Sequence, residues 1–263
     1  MANRVITLLT DFGLRDPYVA EMKGVILSIC PRANIVDVSH DIEKFNIRMG
    51  SCTLASASPF FPEGTINVAV VDPRVGTERQ GLCVETEHGF FVGPDNGVLA
   101  LAAQVQRVKH IHVIANPRFL LSRVSPTFHG RDMFAPVAAH LANGTDPSDF
   151  GPKTGKMIIP AFAKVVRCDS KITGEVMNVD GFGNVITNIS EKDLGRFGDV
   201  KELGVKVGRK ETRLRFCEAY GNVEAGQPLA LVGSHGFLEI SLNQGDASRV
   251  FGLKSEDKIT ICL

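Results

Sequence analysis

The chain has no excess of either charge: across 263 residues, Lys+Arg and Asp+Glu both number 29. With no basic excess, nothing points to a nucleic-acid partner, and no like-charge block reads as a solvated tail. A zero balance still permits a locally charged cleft. No run approaches the roughly 20 apolar residues of a membrane span. The apolar start, Val5–Thr10, is too short for a signal peptide and meets Asp11 at once. These absences predict a cytoplasmic protein with no membrane contact. Six cysteines are present, none spaced as C-x-x-C, so neither a zinc knuckle nor a thioredoxin-like motif is available. Cys30, Cys83 and Cys262 lie in apolar runs, where a reduced thiol behaves as a small hydrophobe.

The common nucleotide and hydrolase signatures are missing too. No G-x-G-x-x-G follows a strand, and there is no G-x-S-x-G elbow and no H-E-x-x-H. Gly151-Pro152-Lys153-Thr154-Gly155-Lys156-Met157 is one residue short of a P-loop and lacks the hydroxyl that holds magnesium. His110 and His112 alternate on one strand, a spacing that can bind metal. Without a nearby carboxylate or cysteine they read as ordinary strand histidines. His88 sits in a turn, and His140 reads as a packed or surface histidine.

Hydrophobic residues make up 44% of the chain, enough for a sizeable core. The first half alternates strand and helix signals. Val5–Thr10, Ile35–Val38 and Ile66–Val71 read as buried strands. Asp16-Pro17 opens a helix to about Cys30, with Asp16 as N-cap and Pro17 at the first helical position. Asn46 caps a second helix through Ala57. Leu82–Glu85 and Phe90–Val92 flank a His88-Gly89 turn. Gly97–Gln104 reads as helix, His110–Ile114 as strand, and Arg131–Leu141 as a helix closed by Asn143-Gly144. This alternation predicts an α/β domain with a mostly parallel sheet covered on both faces. Beyond about residue 160 helical periodicity nearly vanishes. Short strand-like runs follow at Ala163–Cys168, Ile172–Val179, Val185–Asn188, Val200–Val207, Leu229–Val232, Phe237–Leu242 and Lys258–Cys262. They predict a smaller antiparallel barrel or sandwich. The expected domains are 1–155 (α/β, catalytic) and 163–263 (β-rich), with a linker at about 151–163.

Polar residues recur at the predicted strand ends, where open α/β sheets bind ligands. Singly each has an ordinary explanation: Asp11 and Asp95-Asn96-Gly97 suit turns, and Asp132 suits a helix N-terminus. Their clustering at one edge is the unusual feature. One reading makes Asp11, His40, Asp41, Asp72 and Asp95 ligands for two hard cations in a metal-dependent phosphohydrolase. Another makes the chain a non-catalytic binding module.

The motifs support a third reading. Thr10-Asp11-Phe12-Gly13, Ile35-Val36-Asp37-Val38, Val71-Asp72-Pro73-x-Val75-Gly76-Thr77-Glu78-Arg79, Pro94-Asp95-Asn96-Gly97, Thr127-Phe128-His129-Gly130-Arg131-Asp132, Phe182-Gly183-Asn184-Val185 and Gly233-Ser234-His235 occur in this order. Together they resemble the S-adenosylmethionine (SAM) hydroxide adenosyltransferases, water-using relatives of the fluorinase and chlorinase; a chain that kept this fold without turnover would be the non-catalytic alternative, an adenosine or SAM binding module. The resemblance spans nearly the whole chain. It implies hydrolysis of SAM to adenosine and L-methionine by attack of water on the ribose C5′, with no cofactor and no metal. It implies a homotrimer with sites at subunit interfaces. It places Asp72, Arg79 and His129 as the catalytic trio. It also assigns substrate contacts: Asp11 near the methionine amino group; Asp180, Phe182 and Asn184 at ribose and adenine; Ser234 and His235 at the methionine carboxylate; Glu239 and Asn243 at the amino acid and adenine. The halogenases have an uncharged halide pocket, whereas a carboxylate such as Asp72 repels an anion in a desolvated site. The long fluorinase insertion is absent between Asp72 and His129. One departure stands out: Arg74 occupies a position where the family usually has glycine. If that position needs a positive φ, arginine there is strained.

Overall fold

A computed structural model describes residues 5–168, 170–195, 200–208 and 210–262. The chain divides into two compact units that meet between Pro160 and Ala161.

The first unit is built on a seven-stranded sheet. Its strands are β1 (Val5–Thr10), β2 (Asn34–Ser39), β3 (Ile66–Val70), β4 (Gly81–Thr86), β5 (Phe90–Pro94), β6 (Val108–Val113) and β7 (Lys153–Thr154), in the order β2-β1-β3-β5-β4-β6-β7. The run β2-β1-β3-β5 is parallel, and β4, β6 and β7 continue it antiparallel. Helices α1 (Tyr18–Ile29), α2 (Ile47–Ala57), α3 (Ala100–Val105) and α4 (Ala135–Ala142) cover it. All six residues of β1 are buried, as expected of a central strand covered on both faces. Ile6 and Leu8 share a core with Met22 and Ile26 of α1 and Val137 and Leu141 of α4. Leu9 turns the other way, toward Gly50 of α2. β1 lies between β2 and β3, so the chain direction across the sheet reverses there. The crevice at such a reversal opens at the carboxyl ends of the strands. Thr10 pairs with Val70, which puts Asp11 and Asp72 at neighbouring strand ends.

Several local expectations need correction. Pro17, not Asp16, is the N-cap of α1, and no side chain caps that end. Asn46 does cap α2, accepting the Met49 N–H at 2.9 Å. The helix expected from Gly97 begins only at Ala100. The one expected over Arg131–Leu141 starts as a π-helical turn, Gly130–Phe134, before α4 proper. His88, in its turn, places Nε2 2.8 Å from the Phe61 carbonyl.

The second unit is a closed barrel. Its strands are β8 (Val166–Cys168), β9 (Lys171–Val179), β10 (Val185–Ser190), β11 (Glu202–Val207), β12 (Lys210–Phe216), β13 (Pro228–Val232), β14 (Phe237–Leu242) and β15 (Lys258–Cys262). The order β10-β14-β13-β12-β11-β15-β9 returns to β10, so seven strands close the ring and β8 extends β9 outside it. Neighbours are antiparallel except β12 and β13. Closure removes free edges. Ile172, Val176, Leu203, Leu214, Ile240 and Ile259 belong to its core. Two short helices interrupt it, α5 (Glu191–Leu194) and α6 (Ala247–Phe251), the latter capped by Asp246. β12 was not expected. Its Lys-Glu-Thr-Arg-Leu-Arg-Phe sequence is mostly charged, and Leu214 is the residue it buries.

Candidate active site

Three loops of the first unit carry its polar groups. After β3 the chain turns at Asp72-Pro73-Arg74-Val75, with the Val75 N–H donating to the Asp72 carbonyl at 3.2 Å. Thr77 then donates to the Arg74 carbonyl through its N–H at 3.2 Å and its hydroxyl at 2.8 Å. Gly76 sits at φ +76°, and a Cβ there would lie 2.2 Å from the Pro126 carbonyl oxygen. Glycine is therefore required on two counts: only it adopts this φ without strain, and only it lets this loop approach the next so closely.

That close approach brings the catalytic candidates together. The Arg79 guanidinium grips both oxygens of Asp72, through Nε at 3.0 Å to Oδ1 and through a terminal nitrogen to Oδ2. The two side chains are only 5% and 4% exposed. The same terminal nitrogen of Arg79 lies 2.7 Å from His129 Nδ1. The ring of Phe134 lies 5.4 Å from the guanidinium carbon. A guanidinium only donates, so Nδ1 of His129 accepts and the ring N–H is on Nε2. Burial lowers the His129 pKa, and the Arg79 charge lowers it further, against the opposing pull of Asp72 and Asp132. His129 is thus held neutral with one nitrogen committed and the other a donor. The arrangement offers a fixed carboxylate, a fixed cation and a neutral imidazole donor in one place.

Asp11 follows β1. It is buried, and its Oδ2 accepts the Phe45 N–H at 2.9 Å, while the Lys44 ammonium reaches its carbonyl. Phe45 adopts φ +66°, a strained choice for an aromatic residue, yet its side chain is 67% exposed. No sequence signal marked Lys44 or Phe45.

The substrate-contact candidates of the second unit line one cavity of about 760 Å³: Asp180, Phe182, Asn184, Ser234, His235, Glu239 and Asn243. The loop between β9 and β10 is organised by Asp180, whose Oδ1 accepts the N–H groups of Phe182 at 2.8 Å and Asn184 at 2.9 Å. Its Oδ2 accepts the Asn184 side-chain amide at 2.9 Å. This leaves the Phe182 ring 83% exposed at the loop tip. Glu239 is a buried hub that accepts from the Tyr220 hydroxyl at 2.8 Å, the Ser241 hydroxyl at 2.6 Å and His235 Nε2 at 3.1 Å. Burial alone would raise its pKa, but hydrogen bonds from His235, Ser241 and Tyr220 outweigh it and the net direction is down. Tyr220 moves the opposite way, upward, through burial and the Glu239 carboxylate. Tyr220, Gln244 and Asp246 also line this cavity and were not nominated from sequence. Gln244 sits at φ +57°.

Four of the five residues nominated as metal ligands have other side-chain engagements; Asp11 accepts the Phe45 N–H. His40 Nδ1 lies 2.9 Å from the Thr10 hydroxyl. Asp72 is held by Arg79. Asp95 accepts the Ile158 N–H at 2.7 Å. Among the described residues no three His, Cys, Asp or Glu side chains gather as a metal-binding group, and no helix is long and apolar enough to cross a membrane.

Buried charge arranged for geometry in one unit, and a roomy cavity with a few convergent polar groups in the other, are features of an enzyme for a small organic molecule. Residues 6–151 match the SAM hydroxide adenosyltransferase N-terminal domain, and residues 174–260 match the C-terminal domain of the same family. The chain belongs to the SAM hydroxide adenosyltransferase family. It is 37% identical over 262 residues to an (R)-S-adenosyl-L-methionine hydrolase of Thermus thermophilus, covering 95% of this chain and 96% of that one. A fluorinase of Actinoplanes sp. is 26% identical, covering 98% of this chain and 97% of the fluorinase. The crystal structure of an uncharacterized conserved protein from Thermotoga maritima superposes with a TM-score of 0.87 at 42% identity, covering 98% of this chain and all of that one.

Proposed function

We propose that this enzyme hydrolyses SAM to adenosine and L-methionine by attack of water on the ribose C5′. The observation that carries the reading is the contact of Asp72, Arg79 and His129 at a strand end of the first unit. Methionine leaves as a neutral thioether, taking the C5′–S electron pair, so no general acid is needed. Water is the weak partner. Asp72 accepts a hydrogen bond from it and, as the C5′–O bond forms, receives its proton for release to solvent. Arg79 fixes that carboxylate, and His129 donates from Nε2 to the water oxygen, holding it in line and stabilising its hydroxide character as the proton passes to Asp72. The substrate is the only nucleotide required; no cofactor takes part.

The Thermus relative's name specifies (R)-S-adenosyl-L-methionine. With the L-methionine and adenosyl centres already defined, the R label belongs to the sulfonium sulfur. The R epimer is the substrate proposed here. A cavity lined by the exposed Phe182 and the buried Glu239 suits an adenine face and an ammonium group. The enzyme is proposed to be cytoplasmic and homotrimeric, each active site shared between two subunits.

The test is incubation with each sulfonium epimer, chromatography for adenosine and methionine, and a repeat in excess EDTA and in chloride. Adenosine from the R epimer in equal yield under all three conditions supports the reading. Loss of activity in EDTA, or 5′-chloro-5′-deoxyadenosine in chloride, overturns it. For the trimer, co-refolding Asp72→Asn with a binding-deficient Phe182→Ala/Glu239→Gln variant, assayed at a SAM concentration too low for either alone to turn over appreciably, should restore part of the activity. No restoration from mixed, correctly sized trimers would rule out shared sites.

A further inference from the structure

The loop that carries His129 is closed by a residue to which the proposed mechanism gives no role. The Asp132 side chain is 0% exposed. Its carbonyl accepts the Leu121 N–H at 3.0 Å, and its own N–H donates to the Phe128 carbonyl at 3.1 Å. Its Oδ2 accepts the Ser125 N–H at 2.8 Å. One residue thus ties the entry, the middle and the end of the segment leading to His129. The carboxylate is gripped in turn by Arg131, through Nε at 2.6 Å to Oδ1 and a terminal nitrogen at 3.1 Å to Oδ2. The other terminal nitrogen of Arg131 donates to Glu21 of α1 at 2.7 Å. The Arg131 guanidinium also lies 4.9 Å from the Phe128 ring centre. Phe128 meets Phe12 and Tyr18 edge-on at 5.7 and 5.2 Å.

These contacts do more than cover a loop. A buried carboxylate is costly unless its oxygens are paired, so a loop that needed only packing would be served better by an apolar residue. Here the carboxylate binds a backbone N–H inside the loop and anchors it, through Arg131, to a helix that is part of the core. The π-helical turn Gly130–Phe134 begins immediately after His129, and such turns re-aim the adjoining residue relative to the helix that follows. Both neighbours of the imidazole along the chain are therefore fixed, Phe128 by aromatic contacts and Gly130 by the turn.

We propose that Asp132, held by Arg131 and Glu21, is a positioning residue that sets His129 so that Nδ1 meets Arg79 and Nε2–H remains the donor to the reacting water. This rests on the proposed role of the trio. The test is Asp132→Asn, which keeps the size and an acceptor oxygen for Ser125 but breaks the fork with Arg131. It should lower kcat by about 10–100-fold, the scale of a misplacement of about an ångström, and leave KM within about twofold. In 15N-resolved imidazole spectra, with the His129 signal assigned by loss in His129→Gln, the Nε2–H tautomer pattern should give way to a mixture. Glu21→Gln should move both readouts in the same direction by less. A folded Asp132→Asn variant with wild-type kcat and an unchanged His129 signal overturns the proposal, as does a loss confined to KM. If Asp132→Asn does not fold, Glu21→Gln decides: an unchanged kcat and an unchanged His129 signal overturn the proposal. If the wild-type protein fails to hydrolyse SAM, the proposed function falls, but the tautomer readout still tests the positioning.

Discussion

The two units solve different problems with polar groups. In the first, Asp72, Arg79 and His129 spend most of their hydrogen bonds on one another, leaving few free. In the second, Glu239 gathers three donors below a cavity of about 760 Å³ with an exposed aromatic ring at its edge. The first arrangement fixes charges in space, which is what transition-state stabilisation needs, because prealigned groups need no reorganisation as charge develops. The second leaves room for a large ligand and offers it a flat apolar face and a few convergent polar groups. Under the proposed function, turnover falls to the first unit and affinity to the second, and variants can separate the two.

The largest effect should come from Asp72→Asn. It keeps the shape but removes the charge that pairs Arg79, so kcat should fall by at least about 100-fold with KM little changed. Asp72→Ala is a poorer probe, since it strands a buried guanidinium and costs about 3–5 kcal/mol of stability. Next is Phe182→Ala. The side chain is 83% exposed, so the melting temperature should stay nearly constant. Stacking on a base is worth about 1–3 kcal/mol, so KM should rise by about 5–100-fold with kcat within about twofold. A Phe182→Ala variant that lost kcat instead would break the division of labour between the units.

How much of this was legible in the sequence follows the same divide. Strand ends were readable because β1 and β3 are apolar runs that stop at Asp11 and Asp72. That Asp72 meets His129 was not readable from pattern. The contact depends on Gly76 nesting against the Pro126 carbonyl, a meeting of two loops that periodicity cannot encode; only the ordered motifs brought the trio together. The barrel was legible as short strands between glycine turns, but β12 was not, because it buries little apart from Leu214. Tyr220 was missed because it sits in a short 3-10 turn between strands, and its importance comes from a hydrogen bond to Glu239 across 19 residues. Phe45 was missed because its distinguishing feature is a backbone angle.

The pH dependence is a smaller effect that sharpens the account of the first unit. His129 must be neutral to accept from Arg79, and burial with the Arg79 charge moves its pKa below the ordinary value of 6.5. A neutral form is present above the pKa and lost as pH falls through it. The acid limb of kcat/KM should therefore lie below 6.5, falling about tenfold per pH unit, and the profile should be level through neutrality. His129→Gln should remove that limb. An acid limb centred above 6.5 would mean that the imidazole is stabilised as a cation, contrary to the hydrogen bond from Arg79.

The smallest effect is expected at Arg74, the position at which the family resemblance implies glycine. Had that position required a positive φ, arginine would strain the loop beside Asp72. It does not: among the described non-glycine residues, positive φ occurs at Phe45, Arg107, Gln244 and Glu256. The left-handed position in this loop belongs to Gly76, two residues on. What the loop takes from Arg74 is its carbonyl, which accepts from Thr77 whatever the side chain. The side chain itself is exposed, and its charge is screened within about 8 Å at physiological salt. Arg74→Gly should therefore change kcat/KM by no more than about twofold at 0.15 M salt. It should lower stability by about 0.4–1 kcal/mol, because glycine frees the unfolded chain. Repeating the assay at about 0.01 M salt, where the screening length grows to about 30 Å, isolates the charge. If the guanidinium repels the sulfonium, Arg74→Gly gains activity there and loses the gain as salt is added. A gain that survives high salt would instead mean that the arginine backbone is strained, and would reverse the comparison with Gly76.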